Sequence, residues 1–157
     1  MARYNAWANH RLFEACATLP EAEYLAERPA FFRSLHGTLS HLLVVDRLWF
    51  ARIVGAAAPH RALDELPYGD FLGLRVAREA EDAQIVEYID GWAEADFDRP
   101  VTYTTVAGER HTDRLSDLLS HVFNHATHHR GQAHDQLSQT EVAPPPLDLI
   151  YYLRETG

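Results

Sequence analysis

Apolar residues recur at spacings of three and four in four stretches of the chain, which is the pattern of an amphipathic helix. The stretches cover residues 3–17, 34–55, 70–93 and 113–137. Ser34 and Asp113 stand at the start of two of them, where a side-chain oxygen can cap the first N–H groups of a helix. Gly55 follows the second stretch, a common position for glycine at a helix end. The sequence therefore predicts four helices of about 15–25 residues.

The segments between these helices carry loop signals. Residues 56–69 contain two prolines and a glycine, and Pro29 lies in the link between the first two helices. Residues 100–114 are rich in β-branched residues around Ala107-Gly108, which favours a short hairpin or an extended loop between helices three and four. The tail LDLIYYLRE can form a short helix packed on the others.

Four helices of this length without a convincing sheet predict an all-α protein whose fold is a four-helix bundle. The chain has 157 residues, the size of one domain, so we expect a single domain over residues 1–157. Because the 56–69 and 99–113 connections are long, several helix orders are open, and periodicity alone does not choose among them.

Composition narrows the possible functions. All fourteen basic residues are Arg, which removes Schiff-base chemistry and a phosphate-loop lysine. The formal net charge of −9 disfavours nucleic acid as a partner. The single cysteine, Cys16, excludes thiolate zinc fingers. No apolar run approaches the ~20 residues of a membrane span, and the start lacks a signal-peptide pattern, so we expect a cytoplasmic protein without a membrane partner.

Histidines form the most unusual feature of the sequence. Five of the ten lie within residues 121–134, where even spreading would place about one. At about 100° per residue, His121, His125, His128 and His129 share one helix face with Gln132. This face borders the apolar stripe of the fourth helix, so the cluster lies at the edge of the protein core.

His125 and His129 are four residues apart, so their imidazoles lie one above the other, within reach of one metal ion. His41, at the margin of the apolar arc of the second helix, is the predicted third ligand. Three histidines leave a coordination position open, as in catalytic zinc sites. The helix signature of zinc proteases is absent, because Ala126 stands where that motif has glutamate. No carboxylate lies on this face, and the general base is unknown.

The remaining histidines are not predicted to bind the metal. His10, His36, His60 and His111 are isolated along the chain, and we assign them no role. His134 is expected to face solvent, whereas His121 and His128 could orient the ligands or relay protons. Arg130 lies about 140° from His125 and is expected to form a structural ion pair rather than to bind an acidic cofactor.

Three segments of the sequence carry a family resemblance: ARYNAWANHRLFEAC, SLHGTLSHLLVVDRLWF and HVFNHATHHRGQ. They resemble the DinB family, including the branch also called YfiT-like metal-dependent enzymes, and the likeness covers nearly the whole chain. The resemblance implies a four-helix bundle in up-down-down-up order. It also implies a divalent metal held by three histidines, which match His41, His125 and His129. The opening motif adds Asn5, Trp7 and Asn9 as residues that could border the pocket.

The resemblance leaves the reaction open. Characterised relatives are similar to thiol-S-transferases that use low-molecular-weight thiols, and other branches carry isomerase or hydrolase activity. We therefore expect a metal-dependent transferase or hydrolase that acts on a small molecule, with zinc or nickel as cofactor. Two alternatives stay open: a non-catalytic metal- or ligand-binding stress-response module, and a metal-free dimerisation module with a buried histidine network.

Aromatic residues predict a homodimer. The chain has more aromatic side chains than the core of four such helices needs, namely Trp49, Phe50, Tyr151, Tyr152 and the pair Phe31-Phe32. Aromatic side chains are enriched in subunit interfaces, and a two-fold contact is the commonest arrangement. The alternative is that the C-terminal tail folds back and uses these rings to cover the core of the monomer.

Overall fold

The computed structural model describes residues 1–157, most of which are helical. The helices, in chain order, are α1 (Ala2–Cys16), α2 (Glu21–Leu25), α3 (Leu35–Val54), α4 (Phe71–Gly91), α5 (Leu115–Ser138) and α6 (Leu149–Thr156). A turn of 3₁₀-helix covers Glu94–Asp98. The four long helices correspond to the four predicted stretches, and α6 is the short helix predicted for the tail.

Capping explains where two of the long helices begin. The Ser34 hydroxyl accepts a hydrogen bond from the Gly37 N–H at 3.0 Å, as predicted. The Asp70 carboxylate does the same for the Gly73 N–H at 2.8 Å. Helix α3 ends at Gly55, whose φ of 73° lies in the left-handed region that glycine adopts without strain.

The predicted hairpin between the last two long helices is confirmed. Strands β1 (Pro100–Thr104) and β2 (Arg110–Arg114) pair antiparallel, with Val101 opposite Asp113. The prediction that Asp113 caps α5 is wrong, because Arg114 occupies the cap position and its side chain makes no capping bond. Asp113 belongs to the strand instead, and its carboxylate accepts a hydrogen bond from the Tyr103 hydroxyl at 3.0 Å.

Helix α2 lies in a segment that the sequence predicted as loop. Its five residues are too few for a hydrophobic period to appear, and it is stabilised by burial of Tyr24, which is 2% exposed. The Tyr24 ring packs edge-on against Phe71 and His36. This short helix therefore ties the link between α1 and α3 to the core.

The long helices pack around a shared apolar core. Helix α3 contacts α4 and α5, and α1 also contacts both of these helices. The core has two clusters: one includes Leu12, Leu39 and Leu43, and the other, nearer the hairpin, includes Phe50, Leu115 and Val122. The fold is thus mainly helical with one small sheet, and the up-down-down-up order of the helices stays a prediction.

Helix α6 folds back onto α1. Tyr152 packs edge-on against Tyr4 and Trp7, at ring-centroid distances of 5.9 and 5.7 Å. The Trp7 indole N–H also donates to Glu155 at 2.8 Å. This is the arrangement considered above as the alternative use of the C-terminal aromatic residues. None of the helices combines the length and apolar character needed to cross a membrane.

Candidate metal centre

The three predicted ligands meet between α3 and α5. His41 lies on α3 and is buried, whereas His125 and His129 lie on α5 and are half-buried. The Nε2 atom of His41 is 3.3 Å from Nε2 of His125 and also 3.3 Å from Nε2 of His129. Their candidate ligand atoms all lie within 4.8 Å of one another. The fold therefore brings His41 next to two side chains that lie 84 and 88 residues away in the sequence.

Neighbouring acceptors fix two of the three imidazoles. The Nδ1 atom of His41 lies 2.8 Å from the carbonyl oxygen of Leu63, and Nδ1 of His129 lies 2.7 Å from Oε1 of Gln132. Both oxygens accept hydrogen bonds, so each Nδ1 carries the proton and each Nε2 of the neutral ring keeps its lone pair. This is how metal-binding histidines are commonly oriented.

The convergence of the nitrogens fits a metal ion. A tetrahedral ion with metal–nitrogen bonds of roughly 2.0–2.1 Å places two ligand nitrogens about 3.3 Å apart. The separations of His41 Nε2 from the other two Nε2 atoms match this value. Two lone pairs that face each other repel unless a cation or a proton lies between them. The donor set of three imidazoles suits zinc or nickel.

Burial keeps the three rings neutral. It lowers the pKa of His125 to about 3, helped by the neighbouring histidines, and lowers that of His129 to about 4 despite the Gln132 hydrogen bond. Burial also lowers the pKa of His41, although the Leu63 carbonyl and the nearby Asp64 carboxylate oppose the shift. Neutral imidazole is the form that binds a metal, so the site is ready for an ion at neutral pH.

The loop after α3 supports His41 through its backbone. Glu65 accepts hydrogen bonds from the N–H groups of Arg61 at 2.6 Å and Ala62 at 2.9 Å, and it contacts Nδ1 of His60 at 2.8 Å. These bonds close the loop around Leu63, whose carbonyl orients His41. The sequence predicts a loop here but does not reveal its contact with the site, because a backbone carbonyl leaves no signature in side-chain patterns.

Phe32 covers one side of the centre. Its ring stacks on the His41 imidazole at a centroid distance of 4.0 Å and lies edge-on to His129 at 5.7 Å. From the sequence, Phe32 is predicted to join Phe31 in a dimer contact, and in the structure the Phe32 ring lies against two of the candidate metal ligands. Its neighbour Phe31 is 84% exposed.

The other histidines of α5 differ in their surroundings. His128 contacts the Gln132 amide at 3.2 Å, so Gln132 links it to the candidate ligand His129. His121 is exposed and packs edge-on against Trp49. The prediction that His134 faces solvent is wrong, since it is half-buried and its Nε2 lies 3.2 Å from the Pro145 carbonyl.

Two of the isolated histidines, His36 and His60, have structural partners. His36 is buried, with Nδ1 3.0 Å from the Tyr24 hydroxyl and Nε2 2.9 Å from the Tyr68 carbonyl. His60 is held by Glu65, as described above. These contacts agree with the absence of an assigned role for either residue.

The opening motif does not border the metal centre. Asn5 and Asn9 are buried, and both accept hydrogen bonds from Arg130, whose guanidinium also reaches the Thr127 hydroxyl. The predicted ion pair of Arg130 is therefore wrong, because its partners are neutral. Asn9 in turn donates to both carboxylate oxygens of Asp82, at 2.9 and 3.2 Å. The motif connects α1 to buried charges on α5 and α4.

Comparisons with known proteins agree with this fold. Residues 1–156 match the DinB family. Protein DinB of Bacillus subtilis (strain 168) is 28% identical over 158 aligned positions, which cover 96% of this chain and 90% of that protein. The crystal structure of a DinB-like protein from Bacillus cereus ATCC 10987 superposes with a TM-score of 0.69 at 15% identity, covering 89% of this chain and 90% of the other. The match over nearly the full length establishes that this chain belongs to the DinB family.

Proposed function

We propose that the chain is a metal-dependent enzyme that acts on a small molecule through His41, His125 and His129. The favoured reaction is transfer to or from a low-molecular-weight thiol, with hydrolysis as the related possibility. The favoured cofactor is zinc or nickel. The proposal assumes a four-helix bundle in up-down-down-up order, which brings the second and fourth long helices side by side.

One observation carries the proposal: three neutral imidazoles point their Nε2 atoms at one another from two helices, with His41 Nε2 3.3 Å from each of the other two. Burying uncharged polar groups against each other without a shared proton costs free energy. Supporting acceptors behind two of the rings are the arrangement expected of a metal site.

The residues around the site have separable tasks. The Leu63 carbonyl and the Gln132 amide hold two rings in the orientation that presents Nε2. Phe32 keeps water from one side of His41. Three protein ligands leave a coordination position for a reactant, and a divalent ion lowers the pKa of a thiol or water that it binds. The general base is not assigned.

Elemental analysis of untagged protein, purified without nickel resin, tests the metal centre. We expect about one zinc or nickel ion per chain. Turnover is then measured with an electrophile and several cellular thiols, for protein stripped of metal and for protein with metal restored. Thiol-dependent turnover that requires the metal supports the assignment as an enzyme. A metal content far below one ion per chain contradicts the proposal.

A second candidate is a non-catalytic module that binds a metal or a ligand. The distribution of histidine–carboxylate contacts favours this candidate. The two contacts of this kind join His60 to Glu65 and His111 to Glu109, and neither involves a histidine of the triad. No carboxylate hydrogen-bonds to a ring of the triad, so none is in the position of a general base paired with these histidines. Full metal occupancy without turnover of the electrophile with any thiol in the screen favours this module.

We further propose that the chain forms a homodimer. Phe31 is 84% exposed, and Leu66 is 60% exposed, so apolar surface is available for a contact. On α6, Tyr152 packs on α1, whereas Tyr151 is 41% exposed and stays available for the contact. Light scattering at micromolar concentration should give twice 17.8 kDa, and a Phe31→Ser variant should return the mass to that of one chain. A mass of 17.8 kDa for the unmodified protein rejects the dimer.

A further inference from the structure

Arg52 is the one half-buried arginine of the chain that has no acceptor. Eight of the fourteen arginines form ion pairs, Arg99 donates to the Ile53 carbonyl, and Arg130 donates to amides. Three more, Arg61, Arg110 and Arg154, are exposed to solvent. Burial lowers the pKa of Arg52, and no carboxylate offsets this effect.

Two aromatic rings hold the Arg52 guanidinium in place. Its central carbon lies 4.7 Å from the centre of the Trp49 ring and 5.6 Å from that of Tyr103. Contacts of this kind leave the five N–H donors at the edge of the guanidinium plane uncommitted. The nearby Asp113 carboxylate is engaged by the Tyr103 hydroxyl.

Arg52 lies on the same face of α3 as the metal ligand. It follows His41 by eleven residues, and at 100° per residue this places the two side chains about 20° apart around the helix. Along the helix axis, Trp49 lies between His41 and Arg52, and around the helix it is about 80° from His41. Along the axis, eleven residues correspond to about 16 Å. The face therefore runs from the metal centre to Arg52.

A matching row of side chains on α5 joins the two positions. The His125 and His121 rings lie 6.0 Å apart, and the His121 ring lies 5.0 Å from that of Trp49. Trp49 then contacts Tyr103 at 5.2 Å. The aromatic surface is thus continuous from a metal ligand to the residues that hold Arg52, and His121 is exposed along it.

We infer that Arg52 binds a carboxylate of the substrate, while the reacting group of the same molecule lies at the histidine triad. The inference rests on the proposed function. A planar guanidinium fixed by two rings matches the two oxygens of a carboxylate, and its partial burial strengthens such a pair. The substrate is accordingly an elongated acid, whose carboxylate is separated from its reacting group by a chain of several bonds.

Thiols that bind a Co²⁺-loaded protein test this inference without turnover. Co²⁺ stoichiometry is measured first. The protein is then titrated with 8-mercaptooctanoate, with the neutral 8-mercaptooctanol, and with mercaptoacetate, whose carboxylate is too close to its sulfur to reach Arg52. The thiolate-to-cobalt absorption band gives each Kd. We expect 8-mercaptooctanoate to bind about tenfold more tightly than the neutral thiol, as for a hydrogen bond to a charged group.

Three variants assign the preference to a residue. Arg52→Gln should remove the tenfold preference and leave mercaptoacetate and 8-mercaptooctanol unchanged, and Arg52→Lys should restore part of it. Arg154→Gln, which makes the same charge change on α6, should keep the full preference. Circular dichroism establishes that each variant folds.

The outcomes separate the two proposals. If no stoichiometric Co²⁺ binds, the metal site fails, and the inference falls with it. If Co²⁺ binds but the acid is not preferred, or if the preference persists in Arg52→Gln, the role of Arg52 is overturned and the metal site stands.

Discussion

Gly37 and Phe32 approach each other so closely that a side chain at Gly37 has no room. An added Cβ would overlap the carbonyl oxygen of Phe32 and lie 3.3 Å from its carbonyl carbon. Gly37 is in the first turn of α3, and Phe32 precedes that helix. The missing side chain therefore lets the segment before α3 fold over His41.

Replacement of Gly37 should disturb the candidate metal centre, although Gly37 is not one of its ligands. Gly37→Ala forces the Phe32 backbone away, so we expect a loss of about 1–3 kcal/mol in the free energy of unfolding and a weaker stack on His41. Denaturant unfolding and metal titration measure both effects. Gly131→Ala is the matched control, because nothing lies within 4 Å of its added Cβ. That variant should be more stable by about 0.5–1 kcal/mol. Equal behaviour of the two variants would contradict the close approach.

Each of the three ligands should be necessary for stoichiometric metal. With His41→Ala, His125→Ala or His129→Ala, only two imidazoles remain, and two seldom hold a divalent ion firmly. Elemental analysis after dialysis should find well under one ion per chain for each variant. His10→Ala, at an exposed position on α1, is the control and should keep full occupancy. Full occupancy in the His41 variant would remove that residue from the site.

Glu65 should stabilise the protein in a pH-dependent way. Its hydrogen bonds lower its pKa from the usual 4.5 to about 2 in the folded protein, so the unfolded chain takes up a proton at a higher pH than the folded protein does. The stabilisation is complete above pH 4.5 and is lost as the pH falls toward 2. Glu65→Gln should thus lower the free energy of unfolding at pH 7, and its deficit should shrink below pH 4.5.

The same variant, Glu65→Gln, should also weaken metal binding, because Glu65 holds the loop that carries Leu63. A looser loop orients His41 less well, and removal of such supporting interactions typically weakens metal affinity by about 10–100-fold. Denaturant unfolding at pH 7, 5 and 4 and metal titration at pH 7 provide the measurements. A deficit in stability that is constant across this pH range would show that the Glu65 charge is not responsible.

The buried pair of Asp46 and Arg78 should matter far more than a surface pair. Asp46 Oδ2 lies 2.7 Å from Nη1 of Arg78, and the two side chains are 1% and 2% exposed. Asp46→Ala leaves the guanidinium in the core with one acid fewer, so we expect a loss of about 3–5 kcal/mol. Asp90→Ala breaks the exposed pair with Arg3 and should cost less than about 1 kcal/mol. Thermal and denaturant unfolding give both values, and similar losses would contradict this ranking.

The parts of the site that follow a helical period were predictable from sequence. His125 and His129 are one turn apart on α5, and His41 borders the apolar stripe of α3, so spacing alone brought them together. Ser34 and Gly55 likewise marked the ends of α3, because capping is a property of a few neighbouring residues.

Contacts made by loops and by buried polar groups were not predictable in this way. The Leu63 carbonyl is a backbone atom, and Phe32 reaches His41 only because Gly37 admits its backbone. Arg130 was assigned an acidic partner because charge pairing is the common solution for a buried arginine, and two asparagines 125 and 121 residues away serve instead. Such choices depend on which distant side chains fold together.

His125 differs from its two companions behind the ring. Its Nδ1 atom is buried and has no hydrogen-bond partner, whereas His41 and His129 are each anchored by an oxygen. The His125 ring therefore lacks the stabilisation that a hydrogen bond to Nδ1 gives the other two rings. Of the three, it is the least restrained against rotation about its side-chain bonds. If an ion is bound, we expect its release to begin there, so that substitution of the His125 surroundings should change its exchange half-life more than substitution around the other two rings.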